Sequence, residues 1–552
     1  MNYKKYKKAY YPIPLDSRDW CGNEITKAPI WCSVDLRDGN QALYSPMTIE
    51  EKLEFFSFLV KMGFKEIEVG FPAASKTEYT FIRRLIEENY IPDDVTIQVL
   101  TQAREHIIKR TIQALDGAKN VIVHLYNSTS EVQRRVVFRK DKEGIIKIAT
   151  DGAKLVKELT KDFPGNIRFE YSPESFTCTE MEYAAEITNA VLDIFEPSPD
   201  NKVIVNLPST IEVATPNIYA DQIEYMHKHL KYRDDIVISV HAHNDRGTGV
   251  AASELALLAG ADRVEGTIFG NGERTGNADI VIIALNMFSQ GIDPKLNVEK
   301  IDDVVEVYKK FNRLPIHPRH PYAGDMAYVA FSGSHQDAIK KSMDLYESGN
   351  KEMWENPYLT IDPTDIGRQY EPILINSQSG KGGVSYVMEN KFGYKIPKNM
   401  LVEFSSIIQT VSDKKQTVIS AEEIFNIFSS SYVNLKTPLK LAFYGIEVNH
   451  DKAVVSATIE YDDAVSKITG EGNGPLDALC KSLSEHFSKH IEIVSYQEHD
   501  LDSSSKSRAV TYISIKDADE DRIYWGAGIN ENINTSSLYA LISAVNRMLD
   551  KK

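Results

Sequence analysis

Eight times within roughly the first three hundred residues, a short β-branched apolar run gives way to a longer amphipathic stretch. No other feature of the chain limits its fold as tightly. The runs predicted as strands are Ile30–Asp35, Glu66–Val69, Val95–Leu100, Val121–Leu125, Ile167–Tyr171, Lys202–Asn206, Ile236–Val240 and Arg263–Ile268. Between them, stretches such as IEEKLEFFSFLVKMG, EYTFIRRLIEE and AREHIIKRTIQAL place apolar residues at helical spacing. Eight such units fit a closed (β/α)8 barrel better than an open sheet, because about 250 residues is typical of that fold.

A barrel gathers its chemistry where the strands end. Polar residues do cluster there: Asp35 to Gln41 after the first strand, His124 to Asn127 after the fourth, Glu170 to Ser175 after the fifth, and Asn206 to Thr210 after the sixth. His241 and His243 close the seventh, and Phe269 to Asn277 follow the eighth. Side chains at i and i+2 of a strand share a face, so the two imidazoles can bind one cation; taken singly they also read as two surface histidines. Asp38 would supply a carboxylate to such a site and Asn277 an amide oxygen. Arg37 offers a permanent planar charge suited to a carboxylate or a developing enolate, or else forms a plain surface ion pair with its neighbour. Glu273 and Arg274 read as a pair that steadies the last loop.

Charge and targeting narrow the class. A net charge of -16 argues against a general nucleic-acid binder. No apolar run is long enough to span a bilayer, which argues against a membrane protein. The opening MNYKKYKKAYYPIP is basic but has no apolar core, so it does not read as a secretory signal, and it is poor in Arg and Ser for a transit peptide. Cys21, Cys32, Cys178 and Cys480 lack metal or disulfide spacing and read as buried hydrophobes of a cytoplasmic protein.

Past the barrel, NRLPIHPRHP at Asn312–Pro321 marks a boundary. The expected domains are 1–318, the barrel with an N-terminal extension; 319–420, a helical linker region; and 421–552, a C-terminal α+β domain. YAGDMAYVAFSGSHQDAIKKSMDLY reads as a helical linker element, and NSQSGKGGVSYVM at Asn376–Met388, which lacks P-loop spacing, reads as a turn entering a helix. The last domain repeats itself: strands, a Gly-rich turn and a helix occur twice, with Gly470 and Gly472 matching Gly526 and Gly528. About six extra residues are needed before Ala540-Leu541 meets Ala478-Leu479.

RDGNQAL at Arg37–Leu43, EYSPESF at Glu170–Phe176, NLPST at Asn206–Thr210, HAHNDRG at His241–Gly247 and GNGERTGN at Gly270–Asn277 together resemble the 2-isopropylmalate synthase family. This is the Claisen-condensing branch of a metal-dependent barrel superfamily that also holds homocitrate and citramalate synthases. In barrel metallohydrolases the HxH typically follows the first strand, whereas here it follows the seventh. The resemblance implies that Asp38, His241, His243 and Asn277 bind one divalent cation, magnesium or manganese with zinc allowed, and that Arg37 stabilises an alkoxide. It implies that His124, Tyr126, Ser172, Asn206 and Pro208 line the pocket for the side chain of 3-methyl-2-oxobutanoate, and that Thr210 bonds its carboxylate. It further implies that Glu174 and His335 take a proton from acetyl-CoA, with Tyr358 beside them, and that His335 and Tyr358 reach into the partner barrel of a homodimer. The C-terminal repeat resembles a leucine-sensing domain in which Gly470, Gly472, Gly526 and Gly528 form turns that take the inhibitor. A homocitrate or citramalate synthase, or a silent metabolite-binding regulator, is the alternative.

Overall fold

The computed structural model describes residues 2–6, 8–349, 353–370, 381–415, 419–449, 452–501, 507–517 and 522–550. The chain forms two units: Met1–Ala327 with Pro363–Arg368, and Tyr328–Asp362 with Gln369–Lys552.

The first unit is a closed parallel barrel of β1 (Ile30–Ser33), β2 (Glu66–Gly70), β3 (Thr96–Gln102), β4 (Asn120–Ser128), β5 (Asn166–Glu174), β6 (Val203–Ser209), β7 (Ile236–Ala242) and β8 (Arg263–Gly266). Each strand pairs with the next in sequence, and β8 closes on β1 through Ile30 and Arg263. A helix follows every strand: α1 (Ile49–Met62), α2 (Lys76–Glu87), α3 (Glu105–Ala114), α4 (Lys142–Leu159), α5 (Met181–Phe195), α6 (Pro216–His229), α7 (Gly249–Leu258) and α8 (Ile280–Phe288). The first of these starts at a capping box, in which the Thr48 hydroxyl accepts from the Glu51 N–H and the Glu51 carboxylate from the Thr48 N–H.

Several strands run beyond their predicted ends. Gln102 still pairs with Tyr126 and Ser128 with Glu174, so the polar exit residues stay in the ladder rather than leaving it as loop. The first strand stops earlier than predicted. Beyond Ser33 the chain winds into one π-helical turn, Asp35–Gly39, whose Arg37, Asp38 and Gly39 N–H groups all donate to Val34 O.

Barrel interiors are usually filled by branched apolar side chains. Here Glu68, Gln98, Glu170, Arg263 and Glu265 are fully buried, and Glu66 nearly so. Arg263 binds them together, donating to Glu66 at 2.6 Å, Gln98 at 2.7 Å, Ser239 at 2.7 Å and Glu265 at 2.8 Å. A buried guanidinium is tolerated only when its donors are met in this way.

In the second unit, helix α9 covers Gly333–Ser348, shorter than the predicted linker element because the chain up to Ser332 is not helical. Helix α10 (Lys381–Phe392) forms where a turn into a helix is expected; the turn itself, within 371–380, lies outside the described residues. Helices α11 (Lys398–Lys415) and α12 (Ala421–Tyr432) follow. Two matching halves complete the unit: β9 (Leu439–Asn449), β10 (Lys452–Tyr461), β11 (Ala464–Gly472) and α13 (Pro475–Phe487); then β12 (Ile491–Asp500), β13 (Ala509–Asp517), β14 (Arg522–Asn530) and α14 (Ile533–Leu549). Each half is a three-stranded antiparallel sheet, so the repeat read in the sequence is structural.

The glycines of that repeat correct one expectation. Gly470 and Gly472 lie in β11 and Gly526 and Gly528 in β14, paired across the ladders with Val455, Ala453, Ile513 and Thr511 rather than in turns. Their role is steric. A Cβ on Gly470 would fall 2.2 Å from Ala478 O, and one on Gly526 2.3 Å from Ala540 O, so each sheet lets its helix backbone rest directly upon it. The equivalence of Ala478 and Ala540 read from the sequence recurs in this contact.

Candidate active site

The π turn and strand exits bring the distant polar residues to one mouth. Asp38, buried at 5% exposure, places its Oδ2 3.5 Å from His241 Nε2 and 3.9 Å from His243 Nε2. Asn277 sits beside His243 through an isolated β-bridge. Its loop is folded tightly: Gly276 adopts φ +98°, and a Cβ there would lie 2.0 Å from Gly270 O, so only glycine fits. The Asn277 amide donates to Asn271 O at 3.1 Å, which commits its nitrogen and leaves Oδ1 without a hydrogen bond. Asp38 Oδ2 is likewise buried and unpartnered. An orphaned carboxylate oxygen facing two imidazole nitrogens, with an orphaned amide oxygen on the residue bridged to His243, suits a hard or borderline divalent cation.

The groups behind this cluster orient it. His241 Nδ1 pairs with Glu265 Oε2 at 2.9 Å and His243 Nδ1 with Gly276 O at 3.3 Å, which turns both Nε2 atoms toward Asp38. Burial works against charge on His241, but Asp38 and Glu265 raise its imidazolium to about 9; burial and the His241 charge push His243 down to about 4. Asp38 itself is held well below the usual carboxylate range by Arg37 and His241, against the pull of burial.

Arg37 donates from Nη1 to Asp38 Oδ1 at 2.7 Å and from Nε to Glu68 Oε2 at 2.5 Å. Together with His124, Tyr126, Ser172, Glu174, Asn206, Pro208 and Thr210 it lines a cavity of about 400 Å³ that also meets Asp38, His241 and His243. His124 Nε2 lies 2.7 Å from Ser172 Oγ, and Asn206 Nδ2 donates to the same oxygen at 3.1 Å. Thr210 Oγ1 accepts from the Ser175 N–H at 2.9 Å, which leaves its own proton to donate. Glu174 accepts from the Ser128 hydroxyl. Glu273 hydrogen-bonds Gln41 at 3.0 Å, while Arg274 reaches Asp245 at 2.7 Å; their mutual contact is only 4.0 Å, so each steadies the last loop through another residue rather than through its neighbour.

In the second unit the His335 and Tyr358 rings stack with centroids 4.1 Å apart, and both residues are exposed. At the start of α14, the Asn532 side chain already accepts from the N–H groups of Asn534 and Thr535, so those donors are not open to a ligand.

Glu68, Gln98 and Glu265 escape the sequence reading, and Glu170 enters it only as the first residue of a polar tail. The signal was there in Glu66-Ile67-Glu68 and Arg263-Val264-Glu265: charges at i and i+2 within strands too apolar to lie at a surface. His124, Glu170 and Glu265 are close enough to share a cation as well. Their nitrogens and the Glu265 oxygens are already hydrogen-bonded, however, and Arg263 stands 3.7 Å from Glu170. Burial and Glu265 raise the Glu170 carboxyl well above its ordinary range.

A closed parallel barrel with an acid–imidazole cluster at its strand exits defines a class, the barrel enzymes built around a divalent-cation centre. Residues 28–307 match the HMGL-like family, 325–389 the alpha-isopropylmalate synthase post-catalytic domain-like family, and 418–549 the LeuA allosteric (dimerisation) domain. The chain is 55% identical to a 2-isopropylmalate synthase of Acetoanaerobium sticklandii, covering 100% of this chain and 97% of that one. It is 52% identical to 2-isopropylmalate synthases of Clostridium acetobutylicum and Desulfitobacterium hafniense, each match covering 99% of both chains. The chain therefore belongs to the 2-isopropylmalate synthase family. No helix among the described residues is long and apolar enough to cross a membrane.

Proposed function

We propose that the protein joins the acetyl group of acetyl-CoA to 3-methyl-2-oxobutanoate and releases CoA and 2-isopropylmalate. The observation that carries this reading is the pair of buried, unpartnered oxygens, Asp38 Oδ2 and Asn277 Oδ1, set beside His241 and His243. These four residues would hold a divalent cation, magnesium by preference and otherwise manganese or zinc, which when bound supplies a Lewis acid for the oxygens of the 2-oxo acid. Arg37, held on both sides by carboxylates, aims its remaining donors at the keto oxygen as it becomes an alkoxide. The free hydroxyl proton of Thr210 meets the substrate carboxylate. His124, Tyr126, Ser172, Asn206 and Pro208 enclose the branched alkyl group.

Glu174 acts with His335 to remove a proton from the acetyl methyl; the resulting carbon forms a bond to the keto carbon, and water then cleaves the thioester. In this reading His335 and Tyr358 serve the barrel of a second copy in a homodimer, and their exposure in the second unit supports it. Domains 1–318, 319–420 and 421–552 would then be the catalytic barrel, the linker that completes a neighbouring site, and a domain that binds leucine as inhibitor. The protein would work in the cytoplasm.

Thiol release from acetyl-CoA across a panel of 2-oxo acids tests the reading. The highest kcat/KM is expected with 3-methyl-2-oxobutanoate. A preference for 2-oxoglutarate would make it a homocitrate synthase, a preference for pyruvate a citramalate synthase, and no turnover with any acid a silent regulator.

A further inference from the structure

Glu68, on β2 and fully buried, belongs to no motif that the sequence singles out. Its two carboxylate oxygens divide their work. Oε2 accepts from Arg37 Nε at 2.5 Å, while Oε1 faces His124 Nδ1 at 2.9 Å and the Gln98 amide at 3.3 Å. Burial alone would raise this carboxyl, but Arg37 and His124 hold it below its ordinary range, so it stays an acceptor on both oxygens.

Two consequences follow from that single anchor. Arg37 is gripped by carboxylates at Nε and Nη1, which fixes the plane of its guanidinium. His124 turns Nδ1 to the Glu68 carboxylate, which sets Nε2 2.7 Å from Ser172 Oγ, and Ser172 Oγ in turn accepts from Asn206. His124 and Ser172 thereby meet each other's hydrogen-bonding needs, while Asn206 spends its amide nitrogen on Ser172 and keeps Oδ1 without a hydrogen bond.

We propose that Glu68 is a positioning residue that ties the orientation of Arg37 to the hydrogen-bond direction, and hence the selectivity, of the His124–Ser172–Asn206 wall. The proposal rests on the condensation reading above. Glu68→Gln keeps the size but not the two acceptors: whichever way the amide turns, its NH2 confronts either Arg37 Nε or His124 Nδ1. Glu68→Asp keeps the charge but is too short to reach both partners.

The test uses the full-length protein with magnesium and compares 3-methyl-2-oxobutanoate with 2-oxobutanoate, which lacks one methyl. For Glu68→Gln, kcat is expected to fall at least tenfold, and the kcat/KM preference for the branched acid at least threefold. In a His124→Ala background the same substitution should leave that preference unchanged, because the wall it acts through is gone. Should Glu68→Gln fail to fold, Glu68→Asp carries the same comparison. Equal losses with both acids at an unaltered preference would indicate a merely structural role and overturn the proposal, as would an unchanged kcat. A wild-type protein that condenses neither acid would overturn the condensation reading itself.

Discussion

Oδ2 of Asp38 stands 3.5 Å from Nε2 of His241, with no hydrogen bond to that oxygen from any described residue. Adjacent ligands on a cation with bonds of about 2.1 Å sit roughly 3 Å apart and opposite ligands roughly 4 Å apart, so the spacing suits shared coordination. His241→Ala is therefore expected to weaken manganese binding, measured by calorimetry, beyond the ~10–100-fold typical of losing an outer partner. Glu265→Gln, which removes the carboxylate behind His241, should fall within that range. Wild-type affinity in both variants would place the cation elsewhere.

A pH dependence of stability is expected from Asp35. Its carboxylate accepts from the Ser33 hydroxyl at 2.8 Å and from the Ile268 N–H at 3.1 Å, yet burial outweighs both and raises it from 3.8 to about 7. The folded state holds this proton more tightly than the unfolded chain does. Its contribution is therefore complete below about pH 4 and is lost as the pH rises through about 7. Asp35→Asn escapes that loss, so its stability relative to wild type should rise by on the order of 2–3 kcal/mol between pH 5 and pH 8. A difference that does not vary with pH would contradict it.

Much of this was legible because barrels obey a strict rule: the apolar period marks the strands, and polar tails at their ends mark the mouth. Arg37, Asp38, His241 and Asn277 stand in such tails, and the structure gathers them. Glu68 and Glu265 were missed, because a charge inside a strand makes sense only with its partners across the barrel: His124 of β4 faces Glu68, and His241 of β7 faces Glu265. The repeat glycines were misread as turns for a related reason, since a glycine that clears room for a helix on a sheet looks, in one dimension, like a glycine that bends the chain.

That correction changes what substitution there should do. A Cβ on Gly528 would fall 2.0 Å from Ser536 O, so Gly528→Val must push α14 off its sheet. Destabilisation of the C-terminal half by ~1–3 kcal/mol or more is expected, read as a lower melting transition. An unchanged melting profile would show that the helix shifts at no cost.

Mixing His335→Ala chains with His241→Ala chains tests where His335 acts. If it completes the site of a second copy, one site of the hybrid holds every catalytic group and part of the activity returns. No recovery in a verified heterodimer would mean that each chain completes its own site.

The most direct measurement is the rate of CoA release with 3-methyl-2-oxobutanoate in metal-stripped protein, titrated with magnesium or manganese beside an Asp38→Ala variant. Wild type should be silent when stripped and recover in step with bound metal, while Asp38→Ala stays silent at the same concentrations. Full activity in the stripped wild type, or equal recovery in Asp38→Ala, would contradict a condensation centred on Asp38, His241, His243 and Asn277.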